Sequence, residues 1–389
     1  MNSDADFRIK SFDSRKYLIF RQACDIIDFG CFAKLINGIE YPVHFGSSQL
    51  WNPYAGVLME NKNNPTGGAK LFSVIILLIA SIIWGLAFSA QKDAGELGGF
   101  TVGASRNLFA VLFLIPIIPL MDRLTKNGRG RNSSGGDPCG ASENVFAGCH
   151  ICEKIRPDFT KAELIGGTVA GFFMTFATAL QQNGIGDGTD AGKAGFITAL
   201  YVVIVPIYAL FFGKKSPLKV WISVGIAVVG FYLLSVKNDF TIVPSDLLIL
   251  LCAFVFGGQI MTVDIFAPRC EVIRLSFVQF LSAFVMNLAC ALIFESPIDF
   301  PNIGENIWSL LFLGVFSSGV AYTFQVIGQK NLNPGVASIL LSLESVFGAI
   351  GGALIFGESM SPREILGSSI VFLAVILSQI ELPKKRKIG

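Results

Sequence analysis

The sequence predicts an all-α membrane protein with ten transmembrane helices arranged as two inverted five-helix repeats. Three observations carry that prediction. First, the 389 residues are 52% hydrophobic and only 15% charged, whereas a soluble globular chain carries roughly 25% charged residues. Second, ten mainly apolar runs have about the 18–25 residues needed to span a bilayer. Third, two of these runs repeat one another, AGKAGFITALYVVIVPIYALFFGKKSP at 191–217 and PGVASILLSLESVFGAIGGALIFGESMSP at 334–362. Gly192 matches Gly335 at a spacing of 143, and Gly213 matches Gly357 and Pro217 matches Pro362 at nearly the same spacing. Repeated membrane-spanning segments are the mark of a transporter built from two related halves.

Taken in order, the chain opens on an N-terminal extension, residues 1–70. Residues 1–58 mix charge with aromatics and hold no full-length span, while Met59 begins a short polar, basic leader. The segment 1–58 therefore reads either as an upstream, non-native start region or as a small cytoplasmic cap. The spans follow at 71–91, 100–121, 163–183, 192–212 and 217–236, then at 245–266, 273–294, 306–328, 335–356 and 364–382. No cleavable signal peptide is evident, so the first span is expected to act as its own insertion signal. The first repeat occupies 71–237 and the second 245–382, with a basic tail at 383–389. Trp84 aligns with Phe256, Arg106 with Gln279 and Gln182 with Gln329; the register shifts at the Gly/Ser-rich loop 122–162. Five spans per half is an odd number, so the second half must enter the membrane upside down relative to the first. Repeats of this kind put the substrate path at their interface, near the bilayer midplane.

With both termini cytoplasmic, nineteen Lys and Arg from Lys62 onward fall inside and four (Lys92, Lys193, Lys237 and Arg363) fall outside. The excess of inside cations orients the chain, as a multi-pass protein of the cell (plasma) membrane. The KKRK at 384–387 reads as a topology signal or a lipid-headgroup contact. Cysteine offers no disulfide framework. Cys149 and Cys152 form a CxxC with Cys139 and His150 nearby, but His150 adjoins Cys149, which hinders joint ligation of a zinc that wants four ligands. No metal and no cofactor are expected. The Asn132-Ser-Ser pattern is a sugar acceptor only in name, since it falls in a cytoplasmic loop.

The stretch WGLAFSAQKDAGELGGFTVGASRNLFAVLFLIP, with its Trp-Gly in the first helix and Arg in the second, resembles the opening of EamA-type permeases of the drug/metabolite transporter superfamily. The likeness continues through AGKAGFITALYVVIVPIYALFFGKK and GVASILLSLESVFGAIGGALIFGE, each closed by a Gly-Lys or Gly-Glu turn, and covers roughly residues 71–382. No one motif is strong; their order and duplication make the resemblance specific. It implies two EamA-like five-helix repeats and export or exchange of small metabolites. The family commonly has Pro after the aromatic of the fourth helix and after the Glu of the ninth; here those positions are Val202 and Ser345, while Pro206 still permits a kink.

Glu344 is the sharpest candidate for chemistry. It lies about 14 Å into the ninth span at 1.5 Å per residue, where a carboxylate costs on the order of 2.5–3.5 kcal/mol and survives when it faces a cavity or a partner. It suits proton coupling, or alternatively a bond between helices. Arg106 sits about 9 Å into the second span and can bind an anionic substrate group, pair with Glu344, or extend its stem to the headgroups. Trp84, Gln181, Gln182, Gln259, Gln279, Tyr322 and Gln325 complete the candidate substrate pathway. Such groups suit an apolar pocket with a few polar fixtures, and intramembrane Gln equally joins helices. The pairs Gly167–Gly171 and Gly348–Gly352 permit close helix approach.

The leading expectation is a secondary transporter moving a small organic metabolite by alternating access. A nucleotide-sugar or phosphate-ester exchanger would want several basic residues in the central pathway, where only Arg106 and Lys193 qualify. A membrane enzyme is not expected, because both His lie outside the spans. A non-transporting scaffold would have no need of Glu344. Expected partners are the metabolite and the lipid bilayer; a homodimer is one assembly open to the chain, and no nucleic acid is expected.

Overall fold

The computed structural model describes residues 67–130, 159–189, 191–214, 216–235, 244–356 and 361–380. The N-terminal segment with Met59, the loop holding Asn132, Cys139, Cys149, His150 and Cys152, and the basic tail lie outside the described residues. The chain is a multispan, all-helical membrane protein. Its helices are α1 (Gly67–Asp93), α2 (Gly99–Gly130), α3 (Lys161–Gly186), α4 (Ala191–Ala199), α5 (Tyr201–Phe211), α6 (Leu218–Ser235), α7 (Pro244–Phe266) and α8 (Val272–Phe294). After the short α9 (Phe300–Glu305) come α10 (Ile307–Leu311), a wide π-wound segment at Phe312–Tyr322, and α11 (Thr323–Gln329), which form one continuous rod. The chain then makes α12 (Pro334–Leu341), α13 (Glu344–Phe356) and α14 (Pro362–Gln379).

Among the described residues, nine helical stretches are long and apolar enough to cross a membrane, and a tenth apolar helix, Leu218–Leu234, is shorter. Where helices start, the sequence supplies the acceptors that the first backbone N–H groups lack. Thr160 with Glu163 and Ser361 with Glu364 form capping boxes at α3 and α14, and Asn333 caps α12 ahead of Pro334. Glu271 caps α8 through Ile273 N and Arg274 N. The α2 start is capped from elsewhere: Glu295, just past α8, accepts from Phe100 N, Thr101 N and the Thr101 hydroxyl at 2.7–2.8 Å.

Two predicted spans are broken, although the family's Pro positions are Val202 and Ser345 here. The fourth stops at Ala199 and restarts at Tyr201, with i→i−3 bonds from Leu200 N to Ile197 O and from Val203 N to Leu200 O. The ninth stops at Leu341 and restarts at Glu344, where the Ser342 hydroxyl turns back onto Ile339 O and competes with the helical ladder. Ser345, in the place of the expected Pro, donates to Gly195 O at 2.7 Å and ties α13 to α4.

Packing follows one scheme. α3 lies against α7 and α8, and the rod containing the π segment lies against α1 and α2; α4 and α5 lie on α7, and α12 and α13 lie on α1. α2 packs on α8 and α6 on α14. Small residues make the crossings close: Gly167 and Gly171 meet Val278, Gln279 and Ser282 of α8, and Gly85 of α1 meets Gly348 of α13. Two ion pairs join α7 to the fourth span near its two ends, Lys193 with Asp246 and Lys214 with the fully buried carboxylate of Asp264. Lys214 reaches Asp264 past Gly213, whose φ of +70° turns the chain out of α5.

Candidate functional site

Tyr201 and Glu344, which open the second pieces of the two broken spans, line a cavity together with Ser317 and Tyr322 of the π segment; it encloses about 460 Å³ of space, part of it open to solvent. Seven residues expected from the sequence line it: Trp84, Arg106, Gln181, Gln259, Tyr322, Gln325 and Glu344. Phe88, Phe256, Ala87 and Ile260 supply apolar wall, while Gln91, Tyr201 and Ser317 add polar groups.

Arg106 is held in the cavity and does not extend to headgroups. It is 3% exposed, its Nε donates to the Ser318 hydroxyl at 3.0 Å, and its Nη2 donates to the Ser317 hydroxyl at 2.9 Å. The π segment makes this possible, because its wide winding turns the adjacent Ser317 and Ser318 toward α2, where Gly314 and Gly319 admit Phe109 and Phe113. Such wide turns recur at functional sites. Trp84 donates from its indole Nε1 to Ser317 O at 3.0 Å and meets the Tyr322 ring edge-on, with centroids 4.6 Å apart.

Glu344 opens α13 and is 6% exposed. Its Oε1 accepts the Tyr201 hydroxyl at 3.2 Å. Arg106 and Glu344 thus each have hydroxyl partners, and no ion pair joins them among the described residues. The amides form linked sets: Gln91 donates to Gln181 and Gln181 to Thr198, while Gln259 and Gln325 donate to each other.

Two expected residues stand behind the wall. Gln182 donates to the backbone carbonyls of Gln91 and Ala94, completing the end of α1. Gln279 donates to the Met174 sulfur and accepts from Gln259. Sequence reasoning missed Tyr201, Gln91 and Ser317. For Tyr201 a signal existed: it lies 143 residues before Glu344, the repeat spacing itself. Ser317 carried none, because the π winding that turns it inward has no sequence signature here.

Residues 243–379 match the EamA-like transporter family. An uncharacterized transporter from Archaeoglobus fulgidus is 26% identical over 327 residues, covering 83% of this chain and 91% of its own. The threonine/homoserine exporter RhtA of Escherichia coli K12 is 29% identical over 108 residues, covering 26% of this chain and 36% of its own. A solved crystal structure 14% identical in sequence superposes with a TM-score of 0.57 over 79% of this chain and 96% of its own, which supports the fold. With its apolar helices, the chain is a multi-pass membrane protein whose residues 243–379 match the EamA-like transporter family.

Proposed function

We propose that the chain is a secondary transporter carrying a small zwitterionic metabolite by alternating access between two inverted repeats. The observation that carries this reading is the pair of opposite charges in one cavity: Arg106 from the first half and Glu344 from the second, each buried and neither neutralised by the other. A carboxylate matches the planar fork of an arginine, and an ammonium matches Glu344. The aromatic and aliphatic wall between them suits an apolar side chain. The name of the Escherichia coli relative, a threonine/homoserine exporter, points to the same class of substrate. A phosphate-ester exchanger fits less well, because Arg106 is the one cation among the lining residues and Lys193 is engaged with Asp246.

The repeat reading, with halves at 71–237 and 245–382, draws support from the packing scheme. Exchanging each helix for its counterpart maps α3 on α7 to the π-containing rod on α1, and α4–α5 on α7 to α12–α13 on α1. The α2–α8 and α6–α14 contacts map onto themselves. The excess of basic residues on one side supports an orientation with both termini cytoplasmic.

The test is a thermal-shift and proteoliposome series with L-leucine, L-threonine, L-leucinol (no carboxylate) and 4-methylpentanoate (no amine). The zwitterions should bind most tightly and compete for uptake. Glu344→Gln should lose affinity for leucine and leucinol while that for 4-methylpentanoate is unchanged. Equal responses to all four compounds would overturn the zwitterion reading.

A further inference from the structure

The spacing of 143 residues between Tyr201 and Glu344 is the spacing that relates Gly192 to Gly335. Each of the two residues also opens the second piece of its broken helix, α5 at Tyr201 and α13 at Glu344. Their hydrogen bond therefore joins equivalent points of the two halves, in the wall of the cavity. Equivalent residues meeting across a twofold relation would be expected to be alike. Here one is an acid and the other a phenol, so the acid arrives with a donor already in place. Arg106 shows the same asymmetry, since its counterpart is the neutral Gln279. Each half thus supplies one charge, and its mate in the other half is a neutral hydrogen-bonding side chain.

Tyr201 is 3% exposed and its hydroxyl has Glu344 as its hydrogen-bond acceptor. A substrate amine that binds Glu344 must share or take the oxygen the phenol holds. Ammonium–carboxylate hydrogen bonds are about twice as strong as neutral ones, so an ammonium can take that oxygen and a neutral group gains nothing by doing so. The reverse step matters equally. An amine that leaves Glu344 would strand a buried carboxylate, a costly state, unless a donor replaces it.

We propose that the Tyr201 hydroxyl is a built-in competitor for the substrate's ammonium at Glu344, yielding the carboxylate when an amine binds and recapturing it when the amine departs. Tyr201 is then a specificity-determining and release-promoting residue. This inference rests on the zwitterion reading of the cavity.

The test is Tyr201→Phe, which keeps the ring and removes the hydroxyl, assayed in proteoliposomes with L-leucine and by thermal-shift titration with L-leucinol and 4-methylpentanoate. Loss of the competitor should tighten L-leucine and L-leucinol by about tenfold, the scale of one hydrogen bond to a charged group. It should leave 4-methylpentanoate unchanged and lower both KM and kcat for L-leucine. In a Glu344→Gln background the effect of Tyr201→Phe on L-leucinol should vanish. Should the phenylalanine variant not fold, 3-fluorotyrosine at position 201 preserves the shape and strengthens the donor, and should weaken L-leucinol binding. A Tyr201→Phe protein whose KM for L-leucine rises or stays the same, or whose three affinities move together, would overturn the competitor role. So would a fluorotyrosine protein with unchanged L-leucinol binding. A wild-type protein that binds L-leucine no better than L-leucinol and 4-methylpentanoate would overturn the zwitterion reading and this inference with it.

Discussion

Replacing Gly85 with Ala should push α1 and α13 apart at a close crossing, and replacing its partner Gly348 should not. A β-carbon on Gly85 would lie 2.7 Å from Gly348 N, 2.8 Å from Glu344 O and 2.8 Å from the Phe347 carbonyl carbon. All three are backbone atoms of α13, so no side chain can rotate away. Carbon contacts are comfortable at about 3.5–4.0 Å, which means α1 and α13 must move apart by roughly 0.7–1 Å. A β-carbon on Gly348 points differently and meets nothing nearer than Gly85 O at 3.4 Å and Phe88 Cδ2 at 3.8 Å. Overpacking costs about 1–3 kcal/mol, and an obstruction made of backbone rules out the lower end. We expect Gly85→Ala to lose about 2 kcal/mol, near a 30-fold shift in the folded ratio, and Gly348→Ala to change stability little. Melting curves of the two variants in one detergent, read by the monodisperse fraction on gel filtration, make the comparison. Because the displaced backbone carries Glu344, uptake should fall in Gly85→Ala as well. A Gly348→Ala protein that melts below Gly85→Ala, or two variants that both melt like wild type, would refute the reasoning.

Arg106→Lys should keep the fold but lower L-leucine uptake at least about tenfold, because a point charge cannot bond two hydroxyls through separate nitrogens of a planar fork; wild-type uptake would remove Arg106 from the pathway. Lys214→Ala removes a cation from the buried Asp264 carboxylate and should destabilise by more than the roughly 0–1 kcal/mol of an exposed pair, while Lys214→Ala combined with Asp264→Asn should recover part of the loss in melting temperature. Single cysteines at Asp299 and Gly304, in a background retaining only Cys270, should react with an impermeant thiol reagent from outside the cell, and one at Pro268 should not; the opposite pattern would invert the orientation. Cys270 can stay in that background because it is 5% exposed and its thiol is pushed up to about 12, by burial first and by the nearby Glu163 carboxylate second. At pH 8 it is therefore protonated and unreactive.

The helix ends were legible because apolar runs and caps are local properties. The predicted span 273–294 and the observed Val272–Phe294 differ by one residue, and 245–266 and Pro244–Phe266 likewise. The breaks at Leu200 and Ser342 were not legible. Reading Val202 and Ser345 against a proline pattern left the ninth span without a cause for bending, whereas the break at Ser342 comes with a serine hydroxyl returning to its own backbone and a contact to Gly195 that only the fold creates. In the site, Glu344 and Arg106 stood out because ionised groups are costly in lipid. Gln182 and Gln279 shared the polarity signal yet serve a backbone end and a sulfur atom, which composition alone does not separate from lining a cavity. Tyr201 is the reverse case: unremarkable by itself, it was findable once the repeat spacing was applied to Glu344.

The carboxylate that caps α2 has a consequence for how the protein is made. Asn183 takes the Gly99 N–H, but Glu295 accepts those of Phe100 and Thr101 in the first turn of α2, and it lies 195 residues beyond Phe100 in the chain. At about 5–20 residues per second, the ribosome needs roughly 10 to 40 s to reach it. During that interval the opening turn of α2 must find other acceptors, at the headgroup surface or among the insertion machinery, since bare backbone N–H groups in hydrocarbon cost several kcal/mol each. The helices α1–α6 are thus left with an unfinished edge that the end of α8 completes, and a nascent chain halted before α8 should present that edge to quality-control proteases.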